Sequence, residues 1–269
     1  MKQVALTAWL LFSVMYLPAQ QAITLPRTAH KLVVIAHRGD HVNVPENTLA
    51  AYQQAIIHGA DYVEVDLRTT KDGHLVILHD ATVNRMTGGT GAVKDLAYDD
   101  IRRLMIHAAD KKDTAVYHIP DFASVLKLCR GRINIYLDFK DADVAKTYRM
   151  IRAADMEKHV VVYLNKEEQY GQWKKIAPQM PLMASLPENM DQQQLIRFLE
   201  KKPVQVVDNA YNDDLLKLMR RKNIAVWLDV ESKDESPAIW DKVLQKGVDG
   251  LQTDHPEKLI KYLEEKGIR

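Results

Sequence analysis

The chain has 269 residues, of which 46% are hydrophobic and 27% charged, an ordinary composition for a globular protein with a sizeable core. Its 37 Lys and Arg residues nearly balance 36 Asp and Glu residues, leaving a net charge of +1. We therefore expect no nucleic-acid partner, which normally needs a clear basic excess, and an anionic ligand would need a local site. The only cysteine, Cys129, excludes an intramolecular disulfide and has the apolar neighbours of an inert core residue.

Residues 1–22 have the features of an export signal. After a positively charged start, Val4–Leu17 is apolar and too short to cross about 30 Å of hydrocarbon comfortably. Pro18 ends this run, and Ala19 and Ala22 offer cleavage points. An uncleaved N-terminal anchor is the alternative. We expect signal cleavage, no stable membrane span afterwards, and a periplasmic or secreted protein with its folded domain over residues 30–269.

From Leu32 onward, short β-branched runs alternate with helical patterns, which is typical of βα units around a parallel sheet. The predicted strands are Leu32–Ala36, Tyr62–Leu67, Leu75–Leu78, Ile133–Asp138, Val160–Leu164, Pro181–Ser185, Val204–Asp208, Ile224–Leu228 and Asp249–Thr253. The predicted helices are Thr48–His58, Phe122–Cys129, Asp143–Ala154, Lys166–Ile176, Asp191–Lys201, Asp213–Lys222, Pro237–Gln245 and Pro256–Lys266.

One predicted strand is surplus to an eight-stranded barrel. Only Arg68–His74 separates Leu75–Leu78 from the strand before it, and this connection contains Asp72-Gly73. A parallel crossover needs a dozen or more residues, whereas Asp-Gly favours a tight antiparallel hairpin. The sequence therefore predicts an α/β fold, a single TIM-type (β/α)8 barrel, in which this hairpin returns towards the barrel mouth. The irregular segment Ala81–Pro120 is predicted to be an insertion after the second barrel strand.

Three carboxylates are predicted to converge at the mouth of this barrel. Glu64 and Asp66 are two apart on one strand and so face the same side, and Asp138 ends the next barrel strand. Buried carboxylates are costly unless a cation neutralises them, and an oxygen-only set suits Mg²⁺ or Ca²⁺. The alternative is that Glu64 and Asp66 simply pair with Arg68 or Lys140.

Two histidines follow strand ends near these carboxylates. His37 follows the first strand and His79 follows the hairpin, and imidazole can carry a proton either way near neutral pH. Arg38 offers a planar fork for a phosphate group, although a salt bridge at the rim is its simpler explanation. The position of His41, in the same loop as His37, leaves its role open.

Short motifs follow one another in a fixed order along the chain. They are His37-Arg38-Gly39, Pro45-Glu46-Asn47-Thr48, Glu64-Val65-Asp66, Thr70-Lys71-Asp72-Gly73, His79-Asp80, Arg85-Met86-Thr87, Ile119-Pro120, Trp227 and Gly247-Val248-Asp249-Gly250-Leu251-Gln252-Thr253-Asp254. This series resembles the glycerophosphodiester phosphodiesterase family, within the phosphatidylinositol phospholipase C-like TIM-barrel superfamily. The resemblance extends from His37 to about Leu263.

The resemblance implies a role for each matching residue. His37 and His79 would be the acid–base pair; Arg38, Lys140 and Trp227 would contact substrate; and Glu64, Asp66 and Asp138 would bind one divalent cation, Ca²⁺ or Mg²⁺. Two motifs depart from the family pattern. Asp138 stands where a Glu is usual, and Trp227-Leu228-Asp229-Val230 stands where the family has Trp-Thr-Val-Asn, so that the Thr and the Asn are absent.

The implied activity is hydrolysis of a small glycerophosphodiester to sn-glycerol 3-phosphate and an alcohol. Two alternatives stay open. One is a phospholipase D-like or lysophospholipid-cleaving enzyme of the same superfamily, and Met86, Leu104, Met105 and Ile106 in the insertion could meet an acyl chain. The other is a non-catalytic, secreted protein that binds a phosphoryl ligand. The sequence predicts no particular oligomeric state.

Overall fold

The computed structural model describes residues 22–108, 114–232 and 234–269. The strands in these ranges are β1 Val33–Ala36, β2 Tyr62–Thr69, β3 Leu75–Ile77, β4 Met105–Ile106, β5 Tyr117–His118, β6 Asn134–Phe139, β7 Val160–Leu164, β8 Leu182–Met183, β9 Val206–Val207, β10 Ala225–Asp229 and β11 Gly250–Thr253. The α-helices are α1 Leu49–Ile57, α2 Tyr98–Ile101, α3 Phe122–Cys129, α4 Val144–Ala153, α5 Glu167–Ile176, α6 Gln192–Lys201, α7 Asp213–Lys222, α8 Pro237–Leu244 and α9 Pro256–Glu265. The predicted leader lies outside these residues, apart from Ala22, and the leader and the domain bounds stay predictions.

Eight of these strands form a closed parallel barrel. Their order around the barrel is β1, β11, β10, β9, β8, β7, β6 and β2, and β2 pairs with β1 to close it. The predicted TIM-type barrel is thereby confirmed. In this architecture the carboxyl ends of the strands, with the loops that follow them, form one face that carries the active site.

The surplus strand is the hairpin excursion that the Asp72-Gly73 pair predicts. Strand β3 runs antiparallel to β2, with Leu67 opposite Ile77. Gly73 has a φ of 80°, a left-handed conformation that glycine adopts without steric cost. The chain therefore turns within a few residues and delivers His79 back to the barrel mouth.

The insertion Ala81–Pro120 is more ordered than its sequence predicts. It contains a 3₁₀-helix at Val93–Asp95, the short helix α2 and the antiparallel pair β4–β5. Together with β3 it buries a small core of its own, made of Val76, Leu78, Val83, Met86, Val93, Ile101, Ile106 and Ile119. This separate core anchors the segment on either side of His79.

Side chains inside the barrel form an apolar layer below the mouth. Its members alternate along the strands with residues that face the helices, and they are Val33, Ile35, Tyr62, Tyr136, Val161, Met183, Val206 and Trp227. The rings of Trp227 and Tyr62 are 4.8 Å apart between centroids. A side chain at Gly250 would place its Cβ 2.6 Å from the Trp227 ring, so only glycine fits there. The barrel is thus filled from below, and polar residues lie above this layer.

Several helices around the barrel begin at a side chain that caps their first turn. The Thr48 hydroxyl accepts a hydrogen bond from the backbone N–H of Ala51, and the Asn212 side chain accepts one from Leu215. At the end of α3, burial raises the pKa of the Cys129 thiol to about 12, which confirms an inert core position. No helix in the described ranges is long and apolar enough to cross a membrane.

Candidate active site

The three predicted carboxylates converge at the barrel mouth. Strands β2 and β6 pair so that Asp66 lies directly opposite Asp138, with Glu64 two residues earlier on the same face of β2. One oxygen from each side chain lies within 4.8 Å of the others. Glu64 and Asp66 are only 3% and 1% exposed. The alternation of side chains along β2 therefore brings together the cluster that the sequence predicts.

Two hydrogen bonds fix the orientation of the β2 carboxylates. The backbone N–H of Arg38 donates to Oε2 of Glu64 at 2.8 Å, and the Asn47 amide donates to Oδ2 of Asp66 at 2.7 Å. Asn47 in turn accepts a hydrogen bond from the Tyr52 hydroxyl, also at 2.7 Å. Asn47 adopts a φ of 56°, a left-handed conformation that asparagine tolerates better than most residues. The loop before α1 thus holds Asp66 through the Asn47 amide.

Lys140 is the cation nearest to this cluster. Its Nζ lies 3.0 Å from Oδ1 of Asp66, and it also donates to Asp138. The alternative pairing with Lys140 therefore occurs at Asp66. Arg68 pairs instead with Asp141 and donates to the backbone carbonyl of His79. Lys140 is thus placed to contact an anion bound above the carboxylates.

The carboxylate cluster carries more negative charge than its surroundings balance. Burial and the charges of Asp66 and Asp138 raise the pKa of Glu64 well above its usual value. Burial also raises the pKa of Asp138. Burial alone would raise the pKa of Asp66, but Lys140 and the Asn47 amide outweigh it and hold this pKa below its usual value. Three oxygen-only donors, two of them buried and Asp138 partly buried, fit a hard divalent cation beside one ammonium group.

His37 is held by a carboxylate from the far end of the chain. Its Nδ1 lies 2.7 Å from Oδ1 of Asp254, just after β11. Burial alone would raise the pKa of Asp254, but the hydrogen bond to His37 lowers it, so this carboxylate is ionised and accepts the Nδ1 proton. The Nε2 of a neutral His37 is then free to accept a proton. His41 also approaches Asp254, with its Nε2 at 3.5 Å from Oδ1.

His79 has a similar arrangement on the opposite side of the cluster. Its Nδ1 lies 3.0 Å from Oδ1 of Asp80, and Arg85 bonds the same carboxylate. These contacts hold the pKa of Asp80 far below its usual value, with the Arg85 hydrogen bond as the largest cause. The backbone N–H of Leu78, the residue before His79, donates to the backbone carbonyl of Asp66 at 3.0 Å, which places His79 beside the carboxylate cluster. Both histidines therefore have an ionised carboxylate at Nδ1.

Ion pairs through Glu46 link Arg38, the neighbour of His37, to Arg85, which bonds the partner of His79. Glu46 accepts hydrogen bonds from Arg38 at 3.0 Å and from Arg85 at 2.7 Å. Arg38 also lies 3.8 Å from Oδ2 of Asp66, so the rim salt bridge considered for it forms alongside its contact with the cluster. Its side chain is mostly buried, at 18% exposure. The guanidinium is thus fixed beside the carboxylates before any phosphate arrives.

Trp227 lies deeper than the other predicted site residues. It is 3% exposed and forms part of the apolar layer with Tyr62 and Tyr136. The next residue on the same face of β10 is Asp229, which lies nearer the mouth. The predicted contact of Trp227 with substrate stays a prediction.

Several residues that organise the site received no role from the sequence alone. Asn47, Glu46 and Arg85 lie within the quoted motifs, and Asp254 closes the last motif, but each acts through a partner distant in sequence. Their position in the loops that follow the strands on the mouth side is the signal that could have identified them.

The fold and the site define a TIM-barrel protein with paired histidines and an acidic cluster at its mouth. The family model of the glycerophosphoryl diester phosphodiesterase family matches residues 37–258. The chain is 30% identical over 254 residues to the glycerophosphodiester phosphodiesterase of Caldanaerobacter subterraneus subsp. tengcongensis, covering 88% of this chain and 100% of that one. This chain belongs to the glycerophosphoryl diester phosphodiesterase family, and it is an enzyme of the phosphoric diester hydrolase class.

Solved structures show the same barrel. The glycerophosphodiester phosphodiesterase of Agrobacterium tumefaciens superposes with a TM-score of 0.76 at 25% identity, covering 86% of this chain and 99% of that one. A phosphodiesterase of Oleispira antarctica, solved in complex with its product sn-glycerol-3-phosphate, has a TM-score of 0.73 at 18% identity, covering 86% of this chain and 96% of that one. At 18% identity, the similarity to the Oleispira antarctica protein shows a shared fold.

Proposed function

We propose that this enzyme hydrolyses glycerophosphodiesters to sn-glycerol 3-phosphate and an alcohol, with one divalent cation and two histidines. The observation that carries the proposal is the placement of His37 and His79, each with Nδ1 against an ionised carboxylate, around the cluster of Glu64, Asp66 and Asp138. The family membership and the product bound to the Oleispira antarctica relative support the same reaction.

The cation would be held by the three clustered carboxylates, and Ca²⁺ and Mg²⁺ both suit their oxygen donors. When bound, it supplies Lewis-acid stabilisation to a phosphate oxygen and helps to orient the substrate. Arg38 and Lys140 neutralise charge on the remaining phosphate oxygens. Both side chains are held beside the carboxylate cluster by ion pairs, Arg38 with Glu46 and Lys140 with Asp66.

The histidines move the protons of the reaction. One imidazole takes a proton at Nε2 from the nucleophile, which is either water or a substrate hydroxyl; attack by the hydroxyl closes a cyclic phosphate, which water then opens with the roles of the histidines exchanged. The other delivers a proton from Nε2 to the departing alkoxide. Asp254 and Asp80 hold the Nδ1 proton of each ring, so Nε2 is the atom available to the substrate. Both carboxylates also stabilise the imidazolium that forms.

The direct test is an assay of the purified enzyme on a panel of glycerophosphodiesters, with detection of sn-glycerol 3-phosphate. We expect turnover with Mg²⁺ or Ca²⁺, loss of turnover in EDTA, and recovery when the cation is returned. A protein that only binds a phosphoryl ligand would release no chelator-sensitive product, and that result would refute the proposal.

A second candidate is cleavage of an acylated glycerophosphodiester. The observation that favours it is an apolar depression of about 520 Å³ in the insertion, lined by residues that include Leu104, Met105 and Val116. Met105 and Val116 are 62% and 64% exposed. Parallel assays on glycerophosphocholine and its acylated counterpart separate the two functions, because only a lysophospholipid enzyme would prefer the acylated ester.

We further propose that the protein is exported and lies in the periplasm or outside the cell. The apolar run Val4–Leu17 followed by Pro18 supports this proposal. Mass spectrometry of the protein from cell fractions should find it outside the cytoplasm and without the leader. A full-length protein confined to the cytoplasm would contradict the proposal.

A further inference from the structure

A second group of carboxylates lies at the barrel mouth beyond the metal cluster. We call Asp208, Asp229 and Glu231 the acidic wall. Asp208 directly follows β9, Asp229 ends β10, and Glu231 lies two residues further along. Val206 and Trp227 belong to the apolar layer inside the barrel. Since side chains two apart on a strand share a face, Asp208 and Asp229 point into the barrel one layer nearer the mouth.

In the part of the chain that the structure describes, the acidic wall has no Lys or Arg partner. None of the ion pairs formed by the described Lys and Arg residues involves Asp208, Asp229 or Glu231. Among the described side chains, Asp208 has only neutral donors, the hydroxyls of Ser185, at 3.0 Å, and Tyr163. This contrasts with Asp66 and Asp138 of the metal cluster, which share Lys140. Among the described residues, this group of carboxyls inside the mouth therefore has no Lys or Arg to balance it.

The charges of the wall act on one another. Although the Asp229 side chain is accessible to solvent, reduced hydration inside the mouth raises its pKa to about 7, and the charges of Asp208 and Asp138 add to the effect. Burial and the charge of Asp229 raise the pKa of Glu231 to about 8. Both groups would ionise more readily beside a positively charged ligand.

An uncharged side chain independently indicates a ligand with hydrogen-bond donors. Gln252 lies opposite Asp229 in the β10–β11 pairing and is only 6% exposed, yet its Oε1 has no hydrogen-bond partner. Oδ1 of Asp208 and Oε2 of Glu231 are also buried without a donor. Buried acceptors without a donor cost free energy. The site that these three side chains form is therefore complementary to a ligand group that carries several N–H donors.

We propose that the acidic wall binds a primary ammonium group carried by the alcohol of the diester, as in an ethanolamine ester. A primary ammonium supplies both the missing positive charge and three N–H donors. A trimethylammonium group supplies the charge alone and would leave the buried acceptors unpaired. This inference rests on the proposed function, because it assigns one part of the same mouth to the alcohol of the substrate.

The test compares kcat/KM of the full chain on glycerophosphoethanolamine, glycerophosphocholine and glycerophosphoglycerol. We expect the ethanolamine ester to be preferred about 10- to 100-fold, as charged hydrogen bonds typically provide. Asp229→Asn and Glu231→Gln should each reduce the ratio of ethanolamine to glycerol ester by about tenfold or more. Asp214→Asn, which removes the same charge from the exposed surface of α7, should leave the ratio unchanged.

Each outcome bears on one proposal. Equal rates on all three esters would overturn the ammonium site and leave the proposed function intact, whereas no hydrolysis of any ester would overturn the proposed function itself. A preference that Asp229→Asn and Glu231→Gln both leave unchanged would also overturn the site.

Calorimetric titration with Ca²⁺ or Mg²⁺ gives a further check. Two bound ions in the wild type and one in Asp229→Asn would assign the wall to a second metal instead.

Discussion

Nδ1 of His37 lies 2.7 Å from Oδ1 of Asp254, so residues 217 positions apart in the chain form one acid–base unit. The contact is possible because β1 and β11 are neighbours in the closed barrel, with Ala36 opposite Thr253. Glu235 supports this unit, since its carboxylate accepts hydrogen bonds from the Thr253 hydroxyl and from the backbone N–H of Asp254. Asp254 is therefore a positioning residue that determines which nitrogen of His37 faces the substrate.

Replacing Asp254 should impair turnover without unfolding the enzyme. Asp254→Asn removes the charge that stabilises the imidazolium and can turn the ring to the wrong tautomer. We expect kcat to fall by about 10²–10⁴-fold. KM should change little, because His37 is assigned to proton transfer rather than to binding. A rise in KM with unchanged kcat would show that Asp254 acts in substrate binding instead.

Each histidine should be needed for turnover. His37→Ala and His79→Ala should each lower kcat by about 10²–10⁴-fold, and the double variant should be far from additive because the two act as a unit. His74→Ala is the matched control, since His74 is exposed on the hairpin turn and stacks on Tyr98. Wild-type rates in both single variants would end the acid–base assignment.

Divalent cations should stabilise the folded protein through the carboxylate cluster. A cation that binds only the native state at about 100 times its Kd adds about 2.7 kcal/mol to the free energy of unfolding. We expect Ca²⁺ or Mg²⁺ to raise the melting temperature of the wild type in calorimetry. The increase should vanish in the variant Glu64→Gln/Asp138→Asn. An equal increase in that variant would place the cation elsewhere.

Asn47 should matter for both stability and the metal site. Asn47→Ala leaves Asp66 without its amide donor and the buried Tyr52 hydroxyl without its acceptor, which should cost about 1–3 kcal/mol in the free energy of unfolding. Strain of Ala at the left-handed φ should add about 1 kcal/mol to this loss. Asn47→Gly is the control for the left-handed backbone, and it should recover only about 1 kcal/mol. Full recovery in the glycine variant would mean that the amide contributes nothing.

The acidic wall predicts a specific dependence of stability on pH. Because the pKa of Asp229 is raised to about 7 in the folded state, the folded protein holds a proton that the unfolded chain loses near pH 4. Stability from this group therefore falls as the pH rises from about 4 to about 7. In the absence of substrate, Asp229→Asn should raise the melting temperature more at pH 8 than at pH 5. An equal effect at both values would contradict the raised pKa.

The sequence predicts those parts of the structure that depend on local pattern. The two-residue spacing of Glu64 and Asp66 sets their common face, and Asp72-Gly73 sets the hairpin that carries His79. Contacts between distant segments leave no comparable local signal. Examples are the pairing of His37 with Asp254 and the separate core of the insertion, whose apolar residues have no regular period.

Other features depend on which polar groups stay without a hydrogen-bond or ion-pair partner after distant segments of the chain have come together. From the sequence, Asp229 can be recognised only as a departure from a family pattern. Its position above Trp227 and opposite Gln252, outside every ion pair of the described Lys and Arg residues, becomes evident once the barrel closes. The acidic wall could therefore be recognised only from the structure.

The most direct test of the central claim is a ³¹P NMR time course of the purified enzyme with glycerophosphoethanolamine, run with cation, with EDTA, and with the cation returned. We predict that the diester signal is replaced by that of sn-glycerol 3-phosphate, that EDTA stops the conversion, and that His37→Ala slows it by about 10²–10⁴-fold. Appearance of phosphoethanolamine in place of sn-glycerol 3-phosphate, or conversion that continues unchanged in EDTA, would contradict the account.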